Sequence, residues 1–238
     1  MTDGVEIRNL HDASEMRRVV EIFGQVWGTP RDLVSIEILM AVTHSGGYVS
    51  AAFDTTSESR HVLGASVAIL GRHEGRPSLH SHITGLLPGA RATGLGRAVK
   101  MHQREWAADH DIDWITWTYD PLVRRNAWFN IAVLGADVHE YLPSFYGSMN
   151  DSINAGDESD RLFVAWSVHD ELGPLRDGGD VDGDPILIPT PDDVVGLRRT
   201  DPAEVRRLRL ESRDAFTDSF AAGRRVVGFT RDGEYVLV

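Results

Sequence analysis

The chain has 238 residues, a formal net charge of −12, 42% hydrophobic residues and no cysteine. That length suits one large domain, or a medium domain with an added unit, and it can bury a core without disulfides or structural metal. The absent cysteine fits a reducing compartment and excludes a thiol nucleophile and thiolate zinc ligands, while the acidic balance excludes general binding to nucleic-acid backbones.

The N-terminal stretch "MTDGVEIRNLHDASEM" has no basic and apolar regions of a secretory signal. No apolar run reaches the ~18 residues of a membrane span, so a cytoplasmic protein with no membrane partner is expected. Val5–Leu10 alternates as a first strand. Asp12 or Ser14 can cap a helix whose apolar residues Met16, Val19, Val20, Phe23, Val26 and Trp27 recur at helical spacing, broken at Gly28. Leu33, Ile36, Leu39, Met40 and Thr43 mark a second helix, stopped at Gly46-Gly47. Three strand-like runs follow, Tyr48–Phe53, His61–Leu70 and Leu79–Leu87. A helix is predicted from Gly94 to His110, a strand at Asp113–Tyr119, and a helix from Pro121 to Leu134 ended by Gly135. Ala136–Leu142 and Arg161–Val168 read as strands. Residues 170–185, "DELGPLRDGGDVDGDP", read as a linker. Beyond it lie a short strand at Ile186–Ile188, a helix at Pro202–Phe220 and a hairpin over Val226–Val238 turning at Asp232-Gly233. Strands alternating with helices only in the second half predict an α/β fold with a mixed central sheet and helices on both faces.

The stretch "PGARATGLGRAVK" at 88–100 offers backbone N–H groups to a phosphate. Leu95 and Gly96 stand where a Walker loop needs lysine and a hydroxyl. Val99 stands where a dinucleotide fingerprint needs its third glycine. What remains is the pattern R/Q-x-x-G-x-G/A, here Arg91-Ala92-Thr93-Gly94-Leu95-Gly96. Its small residues let the backbone wrap around a pyrophosphate seated on a helix N-terminus. Arg91, Arg97 and Lys100 add positive charge to it.

In context, "SLHSHITGLLP", "WITWTYDP" and "RRNAWFNIAVLGA" resemble the GNAT family of acyl-CoA N-acyltransferases. The resemblance covers residues 5–168 in element order and is specific over 79–135. "LPSFYG" and "DSINAGDESDRLFVAW" add a likeness to a bacterial subfamily with a C-terminal extension. The resemblance implies a GNAT fold over 1–169, with a cleft where the fourth and fifth strands splay, and an α/β extension at 186–238 packed on it. It also implies acyl-CoA as cofactor: the backbone of Leu86 and Leu87 would pair with pantetheine, and residues Arg91 to Arg97 would hold the pyrophosphate.

Acyl transfer from a thioester to an amine needs a deprotonated amine, a polarised carbonyl and a protonated leaving thiolate. Without cysteine, direct attack in a ternary complex is the economical route. His80 and His82 project from one face, because side chains of a strand alternate with period two, and an unperturbed imidazole pKa near ~6.5 suits a base. A His-x-His pair at this offset from Arg91 resembles the base relay of arylalkylamine N-acetyltransferases. Many GNAT enzymes place a thiolate-protonating tyrosine four residues before the glycine that ends the fourth helix. Here that position is Ile131, and the usual asparagine seven residues earlier is Arg124. Asn126 and Asn130 are candidates for the CoA contact; Tyr146, Tyr119 and Asp120 are candidates for the acid.

Asp180, Asp182 and Asp184 imitate a calcium loop, but Pro185 and Pro191 occupy positions that need glycine and glutamate; no metal is expected. Arg206, Arg209 and Arg213 share one side of the C-terminal helix. A solvated surface is one reading, since Glu204, Glu211 and Asp214 stand nearby. The other is that Arg209 or Arg213 binds the carboxylate of an amino-acid acceptor or a succinyl donor. The expected protein is thus a cytoplasmic N-acyltransferase using acetyl-CoA or succinyl-CoA on a small amine or amino acid. A non-catalytic acyl-CoA-binding module and a protein-modifying acetyltransferase are the alternatives. The oligomeric state is not legible in the sequence, and a homodimer stays open.

Overall fold

A computed structural model describes residues 4–29, 32–56, 60–147, 157–179, 181 and 183–238. Seven strands form a mixed sheet in the order β1-β2-β3-β4-β5-β7-β6. By contacts the chain divides into two units, Met1–Thr116 with Ser167–His169, and Trp117–Trp166 with Asp170–Val238.

In the first unit, β1 (Val5–Asn9), β2 (Tyr48–Asp54), β3 (Val62–His73) and β4 (Arg76–Leu86) pair antiparallel in sequence order. Helix α1 (Ala13–Trp27) starts where the Asp12 carboxylate accepts from the Ser14 and Glu15 N–H groups, and stops at Gly28. Met16, Val19, Ile22 and Phe23 are its buried face, each stabilising by roughly 1.5–3 kcal/mol on burial. Helix α2 (Ile36–His44) starts at its Ser35 cap, later than Leu33 suggested. Both helices share a core with Val49, Ala51, Phe53, Ala65 and Val67. Helix α3 (Leu95–Ala108) packs Leu95 and Val99 with Ala52, which alternation places on the opposite sheet face from Ala51 and Phe53. Helices therefore cover both faces.

Two features of β4 position the site. Its parallel pairing with β5 (Trp114–Tyr119) joins Ser78–His80 to Trp114–Thr116 and ends there. Its pairing with β3 also slips: Ser81 faces Ala68 while Ile83 faces Val67, so His82 is the extra residue of a β-bulge.

In the second unit the expected helix from Pro121 is a short α4 (Arg124–Ala127) running into a π-helical turn at Trp128–Val133. The Leu134 N–H reaches back to the Phe129 carbonyl, and Gly135 closes the segment at φ +71°. β6 (Asp137–Leu142) and β7 (Arg161–Ser167) pair antiparallel. The described positions of 170–185 hold no helix or strand, and Asp180 and Asp182 lie outside the described residues. Beyond come β8 (Ile186–Pro189), α5 (Val194–Thr200), α6 (Pro202–Ala221), β9 (Val226–Phe229) and β10 (Glu234–Leu237), with sheet order β8-β10-β9. Their core is continuous with β6: Phe216 stacks on Tyr141 at 5.5 Å and meets Tyr235 edge-on at 5.0 Å.

Candidate active site

The first unit holds His80, His82 and residues 86–97; the second holds Asp120, Asn126, Asn130, Tyr146, Arg209 and Arg213.

At the end of β4, the Leu87 N–H donates to the Leu63 carbonyl at 2.9 Å, and the Leu87 carbonyl accepts from the Ala90 N–H at 2.9 Å. The Leu87 N–H is thus engaged within the chain, and its carbonyl, which already accepts once, keeps a second lone pair for the expected pairing with pantetheine. Antiparallel alternation turns the N–H and carbonyl of Leu86 to the other edge of β4. There the Leu86 carbonyl accepts from Arg91 Nε at 3.1 Å.

The loop then turns through two left-handed residues, Ala92 at φ +61° and Gly94 at φ +86°. Gly94 caps α3 with no side-chain hydrogen bond. The Ala98 N–H is the first of this helix to find the carbonyl expected of it, on Gly94 at 3.1 Å, so Leu95, Gly96 and Arg97 carry the N–H groups that a helix start leaves over. Residues 91–94 and Arg97 are exposed. Thr93 turns its hydroxyl back to the Ala90 carbonyl at 2.9 Å. The sequence groups Lys100 with this cradle, and the structure removes it. Lys100 is buried at 6% exposure, donating to Ser81 Oγ at 2.9 Å and Gln103 Oε1 at 3.2 Å. Lys100 is enclosed against the sheet, whereas Arg97, one turn earlier, is exposed.

His80 is half-buried and its Nδ1 lies 3.1 Å from Thr116 Oγ1. Burial, then the charges of His82 and Lys100, push its pKa down to about 4. His82 is more exposed, but the protein around it lowers its pKa as well, by desolvation. Regular alternation fails at the bulge, so the period-two argument does not place the pair on one face. The charge of His82 adds to burial in lowering the His80 pKa. The premise of an unperturbed imidazole also fails for both.

In the second unit, Tyr146 is exposed. Its hydroxyl lies 3.1 Å from Thr118 Oγ1, its N–H donates to Ser159 Oγ at 2.9 Å, and the Arg161 guanidinium lies 5.3 Å over its ring. Tyr119 is buried; burial pushes its pKa above the usual tyrosine range. Asp120 is also buried. It accepts from the Leu122 N–H at 3.0 Å, from Arg209 at 3.0 and 3.1 Å, and from Arg198. Burial alone would raise its pKa, but Arg209 and Arg198 outweigh it and hold the carboxyl below its ordinary range. An anion so held has no proton to give, which corrects its candidacy as the acid.

Arg209 is buried at 1% and also holds Asp157, through Nε at 2.9 Å. Arg213 holds Asp160 at 2.8 and 2.9 Å, and Glu158. Both arginines are taken by carboxylates of their own chain, so neither the solvated face nor the substrate contact describes them. Arg198, Asp157 and Asp160 complete this network, and nothing in their local sequence marks them. Asn130 is buried and Asn126 half-buried on the α4–π segment, where Ile131 is fully enclosed.

No family model and no curated protein matches the sequence. Solved structures do match. The acetyltransferase yncA of Salmonella typhimurium, described as putative and solved with its cofactor acetyl-CoA, superposes with TM-score 0.53 at 16% identity, covering 71% of this chain and 97% of that one. NAA60 of Arabidopsis thaliana, in complex with a bisubstrate analogue, gives 0.56 at 14% identity over 68% and 97%. A Desulfovibrio desulfuricans acetyltransferase of the GNAT family, also described as putative, gives 0.51 at 15% over 69% and 99%. At such identity the likeness defines the fold. This chain has the GNAT acetyltransferase fold.

Proposed function

We propose that this protein is an acyl-CoA-dependent N-acyltransferase that acts by direct transfer onto a small amine or amino acid. The observation that carries the reading is the start of α3: an exposed, uncapped helix N-terminus after a left-handed turn, flanked by Arg91 and Arg97. Such a start suits a pyrophosphate, and Leu86 presents its backbone to the same side of β4 as Arg91. Residues 1–169 carry the transferase and 186–238 pack on it, a reading supported by the Tyr141–Phe216 contact. Asn126 and Asn130 are further candidate CoA contacts.

In the reaction the acceptor amine attacks the thioester carbonyl carbon; the C–N bond forms, the C–S bond breaks, and CoA leaves as thiolate. The proton lost by the amine passes to the His80–His82 pair. His80 is neutral at pH 7, but at a pKa of about 4 it is a weaker base than free imidazole. Proton transfer to it costs about 3 kcal/mol more. His82, less enclosed, is the easier first acceptor. Tyr146 is the candidate donor to the thiolate. With Arg209 and Arg213 engaged, no cation is assigned to a donor carboxylate, so acetyl-CoA is favoured over succinyl-CoA. None of the described helices is long and apolar enough to cross a membrane, and a cytoplasmic location fits the cysteine-free composition.

A thermal-shift screen of acetyl-, succinyl- and free CoA, followed by thiol release with an amine panel, tests the reading. A ligand at 100-fold its Kd stabilises by about 2.7 kcal/mol. Thiol release that needs both acetyl-CoA and an amine is expected. The variant with His80→Gln and His82→Gln is expected to lose turnover by about 100-fold or more while acyl-CoA stabilisation persists. Stabilisation without thiol release from any amine would favour the binding-module reading, for which the low basicity of His80 speaks. A polypeptide N-terminus preferred over small amines would favour the protein-modifying one. No stabilisation by any CoA species would refute the proposal.

A further inference from the structure

Lys100 carries its amino group inside a packed layer, where burial lowers its pKa to about 7. It donates to Ser81 Oγ on β4 and to Gln103 Oε1 one turn further along α3. Gln103 Nε2 donates in turn to Ser66 Oγ on β3 at 3.4 Å, and Ser66 Oγ lies 2.8 Å from Thr84 Oγ1 on β4. This polar chain joins helix to sheet at two places, Lys100–Ser81 and Gln103–Ser66, which flank the bulge. Ser81 is the residue between His80 and His82 and the last one paired before the register slips. A bulge interrupts the ladder and leaves its extra residue without a cross-strand partner. The backbone therefore fixes His82 less firmly than any other residue of β4, and a side-chain anchor at Ser81 supplies what the ladder does not. The Lys100 amino group donates in either protonation state, and below pH 7 its charge strengthens the bond. An apolar side chain would fill the site without the cost of desolvating an ammonium.

We propose that Lys100 is a positioning residue for the His80–His82 pair, fixing through Ser81 the bulge from which both imidazoles project. The inference rests on the N-acyltransferase reading for its effect on rate, but not for its effect on the histidines. The groups acting on His80 are His82 on β4, Lys100 on α3 and Thr116 on β5. Below pH 7, where Lys100 is protonated, its field adds a smaller second effect: it favours the neutral, proton-accepting imidazole.

The test uses Lys100→Met, which keeps length and removes charge and donor, and Ser81→Ala, which keeps the charge and removes the acceptor. His80 is followed by its ring-proton NMR titration, assigned with His80→Gln. Both variants are expected to lower kcat by about tenfold or more, with the KM for acetyl-CoA unchanged. Lys100→Met is expected to raise the His80 midpoint only modestly above about 4, because burial and His82, the larger causes, remain; the acidic limb of the kcat/KM profile follows it, and Ser81→Ala moves it less. Wild-type kcat in folded Lys100→Met overturns the proposal, and so does a shifted midpoint with unchanged kcat. If Lys100→Met fails to fold, Ser81→Ala decides by the same kcat criterion. Should the wild type transfer no acyl group, the functional reading fails separately. Chemical-shift changes at both His80 and His82 in Ser81→Ala then support the positioning role, and an unmoved pair refutes it.

Discussion

Asp120 shows how far neighbours can redirect a carboxylate. In the sequence it follows a strand and precedes a proline, where an acid serving an active site is easy to imagine. In the fold it lies between Arg198 and Arg209, with Asp157 on their other side. Placing these charges out of water costs much of what their attraction returns, so the set is weak evidence for stability as a whole. Breaking it is another matter. Arg209→Ala leaves Asp120 and Asp157 short of a cation in a buried place, and is expected to destabilise by about 3–5 kcal/mol in urea unfolding. Arg207→Ala on the solvated side of the same helix, where Arg207 pairs with Glu204 and Glu211, is expected to leave the urea midpoint almost unchanged. Equal losses from the two would mean that Arg209 is no more important to the fold than a surface pair.

In the proposed function, the start of α3 is the element that would hold the acyl-CoA pyrophosphate. A Cβ at Gly94 would meet no atom within 4 Å, so space does not require glycine there; the left-handed φ of +86° does. Gly94→Ala is expected to destabilise by about 1–2 kcal/mol and to weaken acyl-CoA binding, read as a smaller thermal shift. An unchanged shift would separate the loop conformation from binding. The hairpin turn at Gly233 has the same cause: its φ is +89°, and the Arg124 guanidinium that a Cβ there would meet is the far end of a flexible side chain, which can give way. α5 escapes a reading by periodicity because it has seven residues with Gly196 among them, yet Asp193 caps it by accepting from the Gly196 N–H.

At the scale of the whole molecule, Lys100 leaves a mark on stability against pH. Its pKa in the fold is about 7, lowered by burial from 10.5. Between those values the unfolded chain holds a proton that the native state has lost, so stability rises with pH. The slope approaches ~1.4 kcal/mol per pH unit. Among described groups with a resolved shift, the lowered histidines act below pH 6.5 and the raised tyrosines above pH 10. Urea unfolding from pH 7.5 to 9.5 is therefore expected to show stability increasing in the wild type and flat in Lys100→Met. Parallel curves would place the lysine proton elsewhere. On the acid side the sign is the same for His80, whose contribution falls away as pH drops from 6.5 toward 4.

What the sequence determined by itself was local. Asp12 and Gly28 bound α1, Asp232-Gly233 turns the last hairpin, and Gly94-Leu95-Gly96 opens α3, because caps, turns and helix starts depend on chemistry within a few residues. The order of elements was legible for the same reason, and with it the fold class. The tertiary structure decided which partner each polar side chain meets. Arg209 finds Asp120 across 89 positions and Lys100 finds Ser81 across 19, distances at which periodicity carries no information. The slip at His82 is likewise a relation between two strands, set by how β3 and β4 align rather than by either sequence. A buried charge is defined by its neighbours, and those are assembled only when the chain folds.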